Sequence, residues 1–278
     1  MIIWLASYPK SGNTWVRLFL NSLFKSKDNK VDINNIQIRQ FPLRYDFDDL
    51  KINVDNIQEF VSNCILCQDK INLDNSIKFF KTHNALWKSG DYSFTNLENT
   101  HGVIHIVRDP RNIITSVKNH FFKDTYEDAF KFMTNEKQSL GSRFGKEVTD
   151  LPTVVSSWSN HYNSWKKIEK NYLLIKYENL LSDTKSEFKK ITNYLKKNLK
   201  LNFNEKNIDN IIASCNFENL QQQESNKGFD EAAIDQNGKA MKFFYLGPKN
   251  NWKEMVDPKM INKIEATFQS EMETLGYL

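Results

Sequence analysis

The chain has 278 residues, 40% hydrophobic and 13% aromatic, and its 38 Lys and Arg against 34 Asp and Glu leave a formal net charge of +4. That length can bury the core of one large domain or two small ones, and near-balanced charge with 20 Phe, 10 Tyr and 6 Trp excludes a globally disordered chain. No run approaches the roughly 18–20 apolar residues of a membrane span, no secretory leader is expected because the apolar residues 1–6 run straight into Pro9-Lys10, and +4 is too small to imply a nucleic-acid partner.

Residues 1–6 are a compact apolar run, and residues 14–24 place Trp15, Leu18, Phe19 and Phe24 at helical spacing. This predicts a strand, a tight loop through Ser7-Tyr8-Pro9-Lys10-Ser11-Gly12-Asn13, and a helix. Residues 25–75, rich in Lys, Asn and Asp, read as small helices and loops outside the core. Within them Cys64 and Cys67 form a C-x-x-C, but no second pair or His follows at zinc spacing, so two positions one helical turn apart explain them better than a metal or redox site. Three cysteines in all point to a reducing, cytoplasmic compartment.

A second strand is expected over 77–80, running into Lys81-Thr82-His83, and a third over 101–107, ended by Arg108-Asp109-Pro110. Asp109 suits an N-cap and Pro110 the first helical position, with Ile113, Ile114, Val117 and Phe121 on one face. Residues 122–150 have the composition of a lid or insertion. Val154, Val155, Trp158, Tyr162 and Trp165 predict one long helix, residues 172–176 a fourth strand, and Phe188, Ile191 and Leu195 the next helix. Residues 219–237 are polar and predict a mobile loop, and a last helix opens at Asp257-Pro258. The alternation predicts an α/β fold, a single domain over 1–278 with a central, mostly parallel sheet flanked by helices.

Ligands of parallel sheets gather at the carboxyl ends of strands. The first such end, Tyr8-Pro9-Lys10-Ser11-Gly12-Asn13-Thr14-Trp15, offers backbone N–H groups, a helix N-terminus and a cation, the makings of an anion site. An ordinary tight turn using Gly12 explains the same residues. It is not a Walker A loop, because its Lys precedes its one Gly. At the second end, His83 lies two residues from Lys81, a cation that favours the neutral imidazole a general base needs. The third pairs Arg108, one of only six Arg, with Ser116 eight residues on; the two grip one phosphate only if the chain turns back between them.

Together with Tyr177-Glu178-Asn179-Leu180, these segments closely resemble, in chain order, the sulfotransferases that use 3'-phosphoadenosine 5'-phosphosulfate (PAPS). The resemblance implies a P-loop-NTPase-like fold and in-line transfer of a sulfuryl group to an acceptor hydroxyl or amine, without a metal, leaving adenosine 3',5'-bisphosphate (PAP). It implies that Lys10 and the backbone of Ser11, Gly12, Asn13 and Thr14 hold the 5'-phosphosulfate and that Trp15 stacks on adenine. Arg108 and Ser116 would then bind the 3'-phosphate, Tyr177 reach the adenine edge, and Phe217 close the other face of the base. His83 would be the general base and Lys81 a contact to the sulfuryl group.

Three departures stand out. Asn13 replaces the family's usual Thr, Tyr245-Leu246-Gly247 replaces the usual Arg-Lys-Gly, and the dimer segment of many animal members is not recognisable, which leaves oligomeric state open. Without the two cations, 3'-phosphate binding there falls to the Gly247 backbone and to Lys249 or Lys242. The acceptor, a small molecule, glycan or lipid, is expected at residues 25–75, 84–95, 121–150 and 221–245. Phe121, Phe122, Tyr126, Phe130 and Phe132 either line an apolar pocket there or pack helices. A P-loop-like kinase or NTPase, and a non-catalytic nucleotide-binding protein of the same fold, are the alternative readings.

Overall fold

The computed structural model describes residues 1–25, 31–141, 151–235 and 238–278. A strand without a polar face must be covered on both sides, and β1 (Ile2–Ser7) is buried at all six positions. It pairs in parallel with β2 (Lys78–Thr82). A two-residue hairpin, β3 (Lys88–Ser89) and β4 (Tyr92–Ser93), follows, and then β5 (Thr100–Val107), which pairs in parallel with the other edge of β1. A second short antiparallel pair joins β6 (Ser139–Leu140) to β7 (Thr153–Val154). With β8 (Tyr172–Lys176) the main sheet has the order β2-β1-β5-β8. The expected α/β class, with a central parallel sheet and flanking helices, is borne out.

The helices are α1 (Asn13–Lys25), α2 (Ile57–Ile71), α3 (Pro110–His120), α4 (Tyr126–Thr134), α5 (Trp158–Lys166), α6 (Tyr177–Ser182), α7 (Thr184–Lys197), α8 (Ile208–Ser214), α9 (Phe217–Lys227), α10 (Trp252–Met255) and α11 (Pro258–Leu275). Asp109 caps α3 as its sequence suggests, its side chain accepting from the Arg111 amide, and Asp257 caps α11 in the same way through Met260. Among the described residues, no helix is long and apolar enough to cross a membrane.

By its contacts the chain forms two compact units. The first comprises Met1–Pro9, Arg39–Ile106 and Phe132–Leu174, the second Lys10–Ile38, Val107–Lys131 and Ile175–Leu278. In the first, the Trp4 ring packs against Phe94 and Phe41 at 5.2 and 5.5 Å between centroids. Cys64 and Cys67 lie one turn apart on α2 in the same core, buried and unbridged, and burial pushes the Cys64 thiol up to about 12. The second unit is held by pairs such as Phe19 stacked on Phe188 at 4.0 Å and Phe130 against Phe268.

Two expectations need correction. The helix expected from Val154 starts only at Trp158: Val154 is in β7, Ser156 takes φ +62°, and the Ser157 side chain then caps α5 by accepting from the Asn160 amide. The loop expected over 219–237 begins instead as α9, opened by the Asn216 side chain accepting from the Asn219 amide and ended at Gly228, φ +74°. Gln and Glu are good helix formers, and α9 buries Leu220 without an apolar stripe that periodicity could detect. Residues 26–30, 142–150 and 236–237 of the expected acceptor segments lie outside the described residues.

Candidate active site

Lys10 at φ +69° and Gly12 at φ +99° make the turn from β1 into α1. A Cβ on Gly12 would sit 2.6 Å from the Tyr177 ring, so both the conformation and the close approach call for glycine. Lys10 holds its left-handed conformation at a cost of order 1–3 kcal/mol for a non-glycine residue. Its carbonyl accepts from Arg108 Nη1 at 3.0 Å, and its ammonium lies 4.4 Å from the centre of the Phe243 ring. Ser11 Oγ is buried and has no hydrogen-bond partner. No acidic residue stands in the first turn of α1, so the positive end of that helix keeps its attraction for an anion.

Arg108 follows β5. Its Nη1 also donates to Ser116 Oγ at 3.4 Å, so the chain does turn back within α3 to bring the pair together. The guanidinium lies 4.0 Å from the centre of the Tyr177 ring, and Nε is buried with no partner. The other described arginines are all ion-paired: Arg17 with Glu231, Arg39 with Asp46, Arg44 with Asp55, and Arg111 with Asp109 and Glu265. Among the described residues, Arg108 alone of the arginines forms no ion pair. The carboxylate of Glu178 is engaged elsewhere, accepting from the Asp109 amide and the Tyr277 hydroxyl, both at 2.9 Å, and burial raises its pKa.

Around this cation the expected aromatic residues take definite places. Trp15 is buried, its indole donating to the Cys215 carbonyl at 2.7 Å, and its ring stands edge-on to Tyr177. Phe217 opens α9 against Gly247: a Cβ there would fall 2.3 Å from the Phe217 ring, and φ is +50°. Lys249 is exposed on the single turn Gly247–Lys249, as is Tyr245 nearby. Neutral Tyr245 and half-buried Leu246 thus stand where two cations were expected.

In the first unit, β2 ends in Lys81-Thr82-His83. His83 Nδ1 lies 2.7 Å from the Ser7 carbonyl oxygen and 3.2 Å from Ser7 Oγ. A carbonyl can only accept, so Nδ1 carries the proton and Nε2 of the neutral ring carries the lone pair. That is the tautomer in which a half-buried histidine can act as a base. Lys81 is fixed through its backbone, its amide donating to Arg39 O and its carbonyl accepting from Phe41 N. Of the aromatic residues weighed for an acceptor pocket, Phe130 and Phe132 are buried in packing, Phe132 edge-on to Tyr8, whereas Phe122 is 48% exposed.

Sequence reasoning missed Phe243 and Asn250. Phe243 covers Lys10 because the Glu224 carboxylate accepts from the amides of Phe243 and Phe244 at 2.6 and 2.9 Å. No local motif announces a carboxylate nineteen residues away as a clamp on a backbone segment. Asn250 is buried beside Ser116, within a run of two Asn whose only sequence signal is polarity next to Trp252.

Comparison with known proteins shows the family. The sulfotransferase domain family matches residues 2–276. Cytosolic sulfotransferase 10 of Arabidopsis thaliana is 22% identical over 98% of this chain and 78% of its own length. The amine sulfotransferase of Oryctolagus cuniculus is 21% identical, covering 98% and 80%. Among solved structures, a mouse sulfotransferase complexed with PAP superposes with a TM-score of 0.57 at 20% identity, over 97% of this chain and 84% of that one. A retinol dehydratase in complex with androsterone and PAP gives 0.56 at 16% identity, over 98% and 80%. The kinase reading has no such support, and the chain belongs to the sulfotransferase domain family, as an enzyme of that class.

Proposed function

We propose that Lys10, Ser11, Gly12, Asn13, Thr14, Trp15, Arg108, Ser116, Tyr177, Phe217, Gly247 and Lys249 hold the donor nucleotide, and that His83 takes the proton of the acceptor. When bound, PAPS supplies the sulfuryl group and leaves as PAP. The observation that carries the reading is Arg108, which among the described residues has no ion-paired carboxylate and a buried Nε without a partner, beside Ser116 and the Lys10 carbonyl. A phosphorylated nucleotide fits these residues: among the described residues Ser11 Oγ and Arg108 Nε lack partners, and Gly12 and Gly247 let the Tyr177 and Phe217 rings pack directly on the backbone.

Each residue then has a definite task. The α1 amides and the Lys10 ammonium stabilise negative charge on the leaving phosphate, as fixed donors do in phosphoryl transfer. Lys81 contacts the group in transfer. His83 Nε2, the lone-pair nitrogen of a ring oriented through Nδ1 by Ser7, accepts the proton of a small-molecule hydroxyl or amine, for a contribution of roughly 10²- to 10⁴-fold. The reading extends to one domain over 1–278 working in the cytoplasm, supported by three unbridged, buried cysteines.

Transfer of labelled sulfur from PAPS to a panel of phenols, alcohols, amines, sugars and lipids tests the reaction, with calorimetry of PAP measuring the site. The parent chain transfers label and binds PAP; His83→Ala loses turnover by two orders of magnitude or more and keeps PAP affinity within about twofold. No label transfer to any acceptor, with no PAP binding, would overturn the proposal. PAP binding with equally negligible turnover in parent and variant would favour the non-catalytic reading.

A further inference from the structure

Resting on the reading above, we infer that Asn250 is a positioning residue of the 3'-phosphate subsite, acting through the Ser116 hydroxyl. Asn250 is buried at the end of the Gly247–Lys249 turn, and its Nδ2 donates to the Asn112 carbonyl at 2.9 Å and to Ser116 Oγ at 3.3 Å. The Asn112 side chain returns the contact, its Oδ1 accepting from the Trp252 amide at 3.0 Å, so the segment carrying Asn250 is locked onto α3. The amide orientation is not arbitrary: reversing it would set Oδ1 against the Asn112 carbonyl, acceptor on acceptor.

The consequence falls on Ser116. A hydroxyl has two lone pairs and one proton. Ser116 Oγ accepts from Arg108 Nη1 at 3.4 Å and from Asn250 Nδ2 at 3.3 Å, so both acceptor positions are taken. Its O–H is left as a donor directed away from both, at a half-buried position where a phosphate oxygen, which only accepts, is the complementary partner. Tyr245 and Leu246 supply no charge to this subsite, so more of its grip on a phosphate falls to the Arg108 guanidinium and the Ser116 hydroxyl, and the hydroxyl's direction counts. Asn250 touches no phosphate itself in this scheme: both its donor hydrogens are used within the protein.

The test is calorimetry of the full chain with two probes, PAP and adenosine 5'-monophosphate, which differ in the 3'-phosphate. The parent binds PAP more tightly than the monophosphate. Asn250→Leu, of similar volume without a donor, lowers PAP affinity about tenfold, the scale of one hydrogen bond to a charged group, and leaves monophosphate affinity within about twofold. In a Ser116→Ala background the same substitution costs twofold or less, because the hydroxyl it orients is gone. Asn250→Ala carries the same expectations should the leucine variant fail to fold. An unchanged ratio between the two probes, an equal loss for both, or an undiminished loss in the Ser116→Ala background would overturn the inference. A parent with no preference for PAP would fail the proposed function itself, and does so before any variant is measured.

Discussion

Replacing His161 by leucine should cost about 1–3 kcal/mol at neutral pH and make the protein lose less of its remaining stability in acid. His161 is fully buried in the first unit, between Tyr8 at 5.7 Å and His105 at 5.9 Å, and its ring is held by a backbone hydrogen bond with His83. Burial holds its pKa at about 3 against an ordinary 6.5. Below pH 6.5 the unfolded chain therefore binds a proton that the folded chain refuses, and stability falls as pH falls through the window from 6.5 to about 3. Each unit costs about 1.4 kcal/mol, so His161 alone removes about 2 kcal/mol at pH 5, a large share of the 5–15 kcal/mol typical of a folded protein. His105, whose pKa burial also lowers, adds to the slope. At pH 7 the leucine variant loses aromatic edge contacts of about 1 kcal/mol and a backbone hydrogen bond with His83 worth about 0.5–1.5 kcal/mol, offset in part by burying a fully apolar side chain. Urea midpoints of parent and variant from pH 5 to 8, at constant m-value, should approach each other below pH 6.5. Parallel profiles would refute the reasoning, because they would show that folding does not suppress protonation of His161.

Two further outcomes are expected. Gly12→Ala should abolish measurable PAP binding in calorimetry, because its Cβ would meet the Tyr177 ring at 2.6 Å and φ +99° is barred to alanine; wild-type affinity would contradict the packing of Tyr177 under the loop. Glu178 has its pKa raised by burial, so the folded chain keeps a proton longer than the unfolded one and stability falls as pH rises above the ordinary 4.5. Glu178→Gln should therefore gain stability relative to the parent between pH 4 and pH 7 in urea titrations, and a gap independent of pH would count against a buried carboxylate there.

What could be read from the sequence follows from where the information lies. The four main strands were legible because both faces of a central parallel strand are apolar, as at all six positions of β1, and α3 was legible because Asp109-Pro110 is a local cap. The tight turn from β1 into α1 was legible as a short contiguous motif. Arg108 with Ser116 was only half legible: spacing named the pair, but the contact depends on α3 starting at once after Arg108. Phe243, Asn250 and the Tyr8–His161 contact were not legible, since each depends on side chains brought together across nineteen to more than a hundred residues. The helix over 217–227 was missed because capping, with little apolar burial, defines it.

The availability of Arg108 is itself built by its neighbours. Asp109, next in the chain, would be its nearest counter-ion, and a carboxylate so placed would neutralise the site. That carboxylate is instead occupied as the cap of α3: it accepts from the Arg111 amide at 2.9 Å and from Arg111 Nη2 at 2.7 Å, with Nε at 3.0 and 3.1 Å. Arg111 is itself immobilised by Glu265, the Tyr277 carbonyl and the Trp252 ring. Glu178, the other nearby acid, is turned to the Asp109 amide and the Tyr277 hydroxyl. Two arginines three residues apart thus have opposite surroundings: Arg111 absorbs the local negative charge, and Arg108, on the Tyr177 ring beside Ser116, forms no ion pair among the described residues, as the proposed anion site requires. A net charge of +4 says nothing about such a site; which cations lack an internal counter-ion says a great deal.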